Sequence, residues 1–181
     1  MAVKITYFVH GTTTDNEKDL ATGWKQGKLS ALGKRQAKEL AKLVVDRHFD
    51  VMFCSDLKRA VDSANLGFKG KYKIIKDKRL RECNYGGLTG TPSKGFKDKL
   101  DSYVKVKFPN GESYKDVERR MRSFVKFLKN KYDGKHVAIM AHQAPQLALE
   151  VISNGKTWNQ AIAQDWRRKS AWKAGWDYTI K

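Results

Sequence analysis

The chain of 181 residues has a length typical of one compact domain, and its hydrophobic fraction of 40% is enough to line one core. It has two cysteines and no long apolar segment, so the sequence predicts one cytoplasmic domain over 1–181, without a membrane span, a signal peptide or a disulfide framework. The net charge of +18 predicts a field that attracts anions, among them phosphate groups.

Apolar periodicity divides the first half of the chain into alternating strands and helices. Residues 3–9 are rich in β-branched and aromatic side chains and end at His10, as a buried strand does before a loop. After an ordered loop, residues 30–48 have the i, i+3, i+4, i+7 spacing of a surface helix. The next predicted elements are a strand at 50–55, a helix at 56–68 with Gly67 as its stop signal, and a strand at 71–77.

The second half continues the alternation after a region of loops. Glycines and prolines between residues 80 and 112 predict loops with one short helix near 94–104, and Ser113 is a typical N-cap for a long amphipathic helix that ends at Gly134. The remaining predicted elements are a strand at 136–141, helices at 144–155 and 158–169, and a strand at 176–181. This order favours a three-layer α/β/α sandwich around a mostly parallel central sheet.

Two of the predicted strands are each followed directly by a histidine. His10 comes after 3–9 and His142 comes after 136–141. Parallel strands end at one edge of a sheet, where α/β folds place their sites, so both histidines and the helix turn that carries Arg59 should meet there. A single histidine at a strand end is more often structural, but the three residues together predict a cationic pocket for a tetrahedral phosphate. The histidines and cysteines lack the spacing of a metal site.

Short motifs follow one another from residue 10 to residue 142. They are His10-Gly11-Thr12-Thr13 with Asn16, Thr22-Gly23-Trp24, Ser55-Asp56-Leu57-Lys58-Arg59-Ala60, LRECNYGGLTG at 80–90, Gly111-Glu112-Ser113 and Ala141-His142. In this order they resemble the histidine phosphatase superfamily, in particular its phosphoglycerate-mutase-like members. The resemblance covers nearly the whole chain and implies the three-layer fold of that family.

The resemblance also implies phosphoryl transfer in two steps, without a metal or an organic cofactor. Neutral His10 attacks phosphorus, His142 and Arg59 stabilise the charge on the phosphoryl oxygens, and Glu82 serves as general acid and then as general base. The partners implied are a small phosphorylated substrate and, as product, inorganic phosphate. The residues expected to bind phosphate or substrate are Gly11, Thr13, Asn16, Gly23, Arg81 and Gln143.

Two positions depart from the family pattern. Val9 stands where the family has an arginine that binds phosphate, and Gln143 stands where mutase-like members have glycine. The missing arginine removes a charge-assisted contact worth on the order of 1.5–3 kcal/mol unless another cation, such as Lys58 or Arg81, replaces it. The chain is then either an enzyme with a variant site or a protein that binds phosphorylated ligands without turnover. Retention of all four catalytic positions favours the enzyme.

Two further alternatives concern the activity itself. A mutase must keep its phosphoenzyme dry under a cover, and the segment between Gly90 and Pro109 leaves little chain for one, so hydrolysis is favoured over mutase transfer. A basic nucleic-acid-binding surface is the other alternative, with C-terminal tryptophans stacking on bases beside the cations at 167–169. The helical spacing from Trp158 to Trp166 favours a packed face instead. Substrate identity and oligomeric state remain open at this point.

Overall fold

The computed structural model of the protein describes residues 1–68 and 70–181 and has a five-stranded sheet at its centre. The strands are β1 (Val3–Val9), β2 (Val51–Cys54), β3 (Ile74–Lys76), β4 (His136–Ala141) and β5 (Trp176–Ile180). Their order across the sheet is β3-β2-β4-β1-β5. Neighbours among the first four run parallel, and β5 pairs with β1 in the antiparallel direction. The predicted mostly parallel sheet is therefore confirmed.

Helices cover the sheet on both faces. They are α1 (Thr14–Glu17), α2 (Ala31–Leu43), α3 (Lys58–Phe68), α4 (Lys94–Lys97), α5 (Tyr114–Tyr132), α6 (Gln143–Asn154) and α7 (Trp158–Ala163). Short 3₁₀ helices lie at Lys78–Leu80, Gly86–Leu88, Leu100–Tyr103 and Trp166–Lys169. Apolar residues of α2 and α3 form a core on one face, and those of α5, α6 and α7 form a larger core on the other. These are the three layers expected from the sequence.

Alternate residues of the central strands enter the two cores. Tyr7 of β1 and Ile139 of β4 pack in the larger core, while Phe8 and Met140, one residue further along each strand, pack in the smaller one. All four side chains are almost completely buried. A strand covered on both faces has no solvated side, which is why β4 is apolar without interruption after His136. None of the helices in the two described ranges has the length and apolar character needed to cross a membrane.

The helix predicted over 56–68 ends as expected, because α3 extends to Phe68, one residue after Gly67. A Cβ added to Gly67 would be in ordinary van der Waals contact with α2, 3.4 Å from the carbonyl oxygen of Ala37. A second prediction about a helix end is wrong. The helix predicted over 158–169 is broken. α7 ends at Ala163, and the Asp165 side chain then accepts a hydrogen bond from the backbone N–H of Arg167, which starts the separate 3₁₀ helix Trp166–Lys169. Such local side-chain bonds compete with helix continuation.

The two tryptophans of the predicted apolar face, Trp158 and Trp166, therefore lie in different surroundings. Trp158 is buried and donates its indole N–H to Glu118 at 2.7 Å. Trp166 instead stacks on Trp176, with 4.8 Å between ring centroids. These indoles make contacts within the fold, which supports the packing interpretation for both residues over base stacking.

The loop after β1 packs tightly against the start of α2. A Cβ added to Gly33 would overlap the carbonyl oxygen of Thr12, and one added to Gly11 would overlap the carbonyl oxygen of Gly33. The backbone N–H of Ser30, the N-cap of α2, donates to the same Thr12 oxygen at 3.0 Å. The two glycines therefore allow a backbone-to-backbone contact that fixes the loop next to His10.

We predict that Gly33→Ala lowers the free energy of unfolding by about 1–3 kcal/mol, because its methyl group must push the Thr12 backbone away. Urea unfolding followed by circular dichroism measures the change. Gly95→Ala is the matched control, since Gly95 is exposed in α4 with open space around its Cβ position. The control should be neutral or slightly stabilising, and equal losses in both variants would contradict the proposed contact.

Candidate active site

A cavity of about 710 Å³ opens at the carboxyl ends of β1 and β4. His10 and His142, the residues that follow these strands, both line it, and their ring centroids are 5.0 Å apart. The two strands are paired in parallel register with Val9 opposite Ala141, which is why the next residue of each strand reaches the same place. The topology thus brings together the two histidines that the sequence predicted to meet.

Hydrogen bonds define the tautomer of His10. Its Nδ1 is 2.7 Å from the carbonyl oxygen of Gly11, an acceptor, so Nδ1 carries the proton and donates it. On the other side of the ring, Nε of Arg59 donates to Nε2 of His10 at 3.3 Å, which requires a lone pair on Nε2. The ring is therefore a neutral imidazole with its basic nitrogen directed toward the guanidinium of Arg59.

The electrostatics of the cavity keep both histidines uncharged. The pKa of His10 falls to about 3, mainly because the ring is buried and secondly because of the positive charge of Arg59. Burial also holds the pKa of His142 well below its ordinary value, and the charge of Arg59 acts in the same direction. A positive charge from Arg167 contributes to the lower pKa of each ring. Unprotonated rings at neutral pH are what a nitrogen nucleophile requires.

His142 has a fixed backbone and an unpartnered ring. The Tyr7 hydroxyl donates to the His142 carbonyl oxygen at 2.7 Å and accepts from the His142 backbone N–H at 3.0 Å. The side chain is buried, yet neither ring nitrogen has a hydrogen-bond partner among the described residues. Buried polar atoms are nearly always paired, so these nitrogens are suited to contact a ligand in the cavity.

Arg59 lies on the first turn of α3 and is almost completely buried. Besides its contact with His10, it donates to the carbonyl oxygens of Gly23 at 2.8 Å and Lys25 at 2.6 Å. A weaker contact of 3.5 Å joins the same guanidinium to the carbonyl of Gln26. This single side chain therefore fixes both His10 and the loop that forms the adjacent cavity wall.

Glu82 bridges its own loop and the start of α6. Oε1 accepts backbone N–H bonds from Cys83 at 2.8 Å and Ala144 at 3.0 Å, and Oε2 accepts one from Gln143 at 3.1 Å. A carboxylate at a helix N-terminus is favoured by the free N–H groups there and by the helix dipole. The side chain lines the same cavity as both histidines.

The six predicted binding residues have different locations. Gly11, Asn16, Gly23 and Gln143 line the cavity. Thr13 and Arg81 are not among its lining residues. Thr13 is buried and caps α1. The guanidinium of Arg81 forms a two-pronged ion pair with Asp56, with N–O distances of 2.6 and 2.7 Å.

Several backbone donors that the sequence suggested for phosphate already have partners. The N–H of Gln143 donates to Glu82, and that of Thr13 donates to Oδ1 of Asn16 at 3.0 Å. The N–H of Gly11 donates to Ser63 Oγ, also at 3.0 Å. Donors from side chains are therefore the more accessible ones in this cavity.

The C-terminal part of the chain supplies one wall that the sequence did not predict. Asp165, Trp166, Arg167 and Arg168 line the cavity together with Trp172. The sequence signal was the run of cations at 167–169, but the pattern assigned it to one helix over 158–169. In the structure, Arg167 and Arg168 of this run belong to the separate 3₁₀ helix and line the cavity.

Comparison with known proteins agrees with the fold. The sequence model of the histidine phosphatase superfamily (branch 1) matches residues 7–155. The chain belongs to this superfamily. The matched region contains the nucleophile candidate His10 and extends through Arg59 and Glu82 to His142 and α6.

Individual relatives include both mutases and phosphatases. A 2,3-bisphosphoglycerate-dependent phosphoglycerate mutase of Cytophaga hutchinsonii is 31% identical over 162 residues, covering 80% of this chain and 76% of that protein. The mycobacterial glucosyl-3-phosphoglycerate phosphatase superposes with a TM-score of 0.77 at 26% identity, over 90% of this chain and 84% of that one. A putative alpha-ribazole-5'-P phosphatase of Escherichia coli has the same fold, with a TM-score of 0.77 at 20% identity over 89% and 84% of the two chains.

We predict a pH-dependent contribution of His10 to stability. Its pKa is about 3 in the folded protein and near 6.5 in the unfolded chain, so the unfolded state binds an extra proton between these values. Its contribution is present above pH 6.5 and is lost as the pH falls toward 3. Between pH 6 and 4, the free energy of unfolding should fall more steeply for wild type than for His10→Gln, by on the order of 1 kcal/mol per pH unit.

Urea titrations at each pH measure these slopes. His48→Gln is the control, because His48 is exposed and its removal should leave the wild-type slope unchanged. Parallel curves for wild type and His10→Gln would show that His10 is not held neutral by the fold.

Proposed function

We propose that the protein is a metal-independent phosphatase that hydrolyses small phosphomonoesters through a phosphohistidine on His10. The observation that carries this proposal is the hydrogen-bonded state of that residue: Nδ1–H donates to Gly11, and an unprotonated Nε2 lies beside the Arg59 guanidinium. A nucleophile and a cation for the incoming phosphate are thus adjacent in one cavity. The superfamily assignment supports the same chemistry.

In the first step, Nε2 of His10 forms a bond to phosphorus as the bond from phosphorus to the ester oxygen breaks. The leaving oxygen takes a proton from Glu82, which must be protonated when the substrate is bound. Arg59 supplies positive charge, and the neutral ring of His142 supplies its one N–H as a hydrogen-bond donor to the phosphoryl oxygens. In the second step, Glu82 takes a proton from water, which attacks phosphorus and releases inorganic phosphate and free His10.

The segment that follows Gly90 forms one wall of the cavity, and its shortness favours hydrolysis over mutase transfer. That wall consists of the four-residue helix α4 and the 3₁₀ helix Leu100–Tyr103, and it contributes Ser93, Phe96 and Lys97 to the cavity lining. So short a segment offers little chain for a cover that excludes water while a substrate reorients. Water can therefore reach a phosphohistidine in the open cavity.

The first functional prediction concerns His10. Wild type should release phosphate from small phosphomonoesters near pH 6–7 with a chelator present, and His10→Gln should lose at least a thousandfold in rate, because the bond-forming nitrogen is gone. Brief mixing with a ³²P-labelled ester should label wild type on an acid-labile, base-stable group. His48→Gln is the control and should keep both properties. Inactivity of wild type on every ester, with phosphate still bound, would identify a binding protein instead.

The second prediction concerns Glu82 as the acid. Glu82→Gln should slow hydrolysis of an alkyl phosphate about a hundredfold or more, because an alkoxide leaving group needs a proton. The same variant should lose much less on 4-nitrophenyl phosphate, whose phenolate leaves without one. The ratio of the two kcat/KM losses is the measurement. Equal losses on both esters would mean that Glu82 acts through its bonds to the start of α6 and not as an acid.

A further inference from the structure

We propose that Arg167 is a phosphate ligand of this site and replaces the cation that is missing at Val9. The inference rests on the proposed function, since it assigns a residue to the binding of the transferred phosphoryl group. Val9 is the last residue of β1 and lines the cavity with an apolar side chain. Arg167 belongs to the 3₁₀ helix Trp166–Lys169 and lines the same cavity.

The side chain of Arg167 is held in place from several sides. Nη1 donates to Asp165 Oδ1 at 2.9 Å, and Nη2 donates to Gln146 Oε1 at 3.1 Å. The guanidinium lies over the ring of Trp166, 4.4 Å from its centroid. Three quarters of the side chain is shielded from water. An arginine fixed in this way loses little conformational entropy on binding a ligand.

Arg167 also retains free donors. A guanidinium has five N–H bonds, and within the described part of the chain two of them have partners here, which leaves Nε–H and one hydrogen on each terminal nitrogen. Arg59, by contrast, directs most of its N–H bonds to His10 and to the carbonyls of Gly23 and Lys25. A phosphoryl group with three equatorial oxygens needs more donors than Arg59 alone offers.

The other cations near the cavity are less suitable. Lys97 is about half exposed and pairs with Asp19 at 3.2 Å, and Arg168 is exposed and donates Nε–H to the carbonyl of Ile162. The two substitutes suggested by the sequence are also engaged. Lys58 is paired with Asp62, and Arg81 is paired with Asp56.

The second departure from the family pattern explains how Arg167 is positioned. The side-chain amide of Gln143 donates to Oδ2 of Asp165, while Oδ1 of the same carboxylate accepts from Arg167. Asp165 is buried between them. Gln143 is the residue after His142, so this chain of bonds ties the C-terminal wall to the histidine end of the cavity. A glycine at 143 would lack this bond, which makes Gln143 and Asp165 positioning residues for Arg167.

Phosphate affinity tests the proposal independently of turnover. Titration calorimetry with inorganic phosphate should show a Kd about tenfold higher or more for Arg167→Met than for wild type, because one charge-assisted contact is lost. Lys169→Met is the matched control. Lys169 carries the same charge and lies in the same 3₁₀ helix, but it is not among the residues that line the cavity. Its Kd should stay within about twofold of wild type. If both substitutions raised the Kd for phosphate equally, Arg167 would act only through the overall positive charge of the protein, and the proposal would be overturned.

Restoring a cation at position 9 provides the second test. Val9→Arg in the Arg167→Met background should recover most of the lost phosphate affinity, whereas Val9→Leu in that background should recover none. Gln143→Gly should weaken phosphate binding in wild type but have little further effect in Arg167→Met, since both act through one contact. Additive effects of Gln143→Gly and Arg167→Met would overturn the positioning role.

The same variants separate this proposal from the proposed function. If phosphate binding depends on Arg167 but wild type hydrolyses no ester, the ligand assignment stands and the phosphatase proposal fails. If wild type hydrolyses esters and Arg167→Met retains full kcat/KM and phosphate affinity, the phosphatase proposal stands and the ligand assignment fails. With both correct, Arg167→Met should lose roughly a hundredfold in kcat/KM.

Discussion

The contact between the Arg59 guanidinium and the uncharged Nε2 of His10 is the constraint on which the rest of the site depends. A cation buried beside a histidine opposes protonation of that ring, so the charge that would hold phosphate also keeps His10 unprotonated. Arg59 is itself held by carbonyl oxygens of the loop around Gly23. Loop shape, ring tautomer and local charge are therefore consequences of one buried side chain, and a change in any of them alters the other two.

Much of the fold was predictable because local sequence and tertiary structure agree. The apolar run at 136–141 marked a strand covered on both faces, and Ser113 caps the helix it was expected to cap. The predictions failed where a distant or competing contact decided the result. The Asp165 side chain divides what has the pattern of one helix. Propensity and periodicity do not contain such contacts.

The site, like the fold, was predictable where topology decides and not where distant contacts decide. Topology alone brings His10 and His142 to one sheet edge, because strands that pair in parallel register end together. Which cations reach that edge depends on long side chains whose partners lie far away in sequence: Asp56 holds Arg81 outside the cavity. The run at 167–169 lies in a 3₁₀ helix after a break that the sequence pattern did not reveal. The site was therefore least predictable where long charged side chains and a local backbone break decide which cations line the cavity.

The position of β1 in the sheet has a consequence for how the protein is made. β1 emerges first during synthesis, yet both its neighbours, β4 and β5, lie more than a hundred residues later, with Lys4 opposite His136 on one side and Thr179 on the other. The strand next to the nucleophile must therefore wait without a sheet partner while most of the chain is translated. Pairings this distant fold slowly and leave strand edges open. Until β4 and β5 emerge, the backbone N–H and C=O groups of β1 therefore lack their sheet partners.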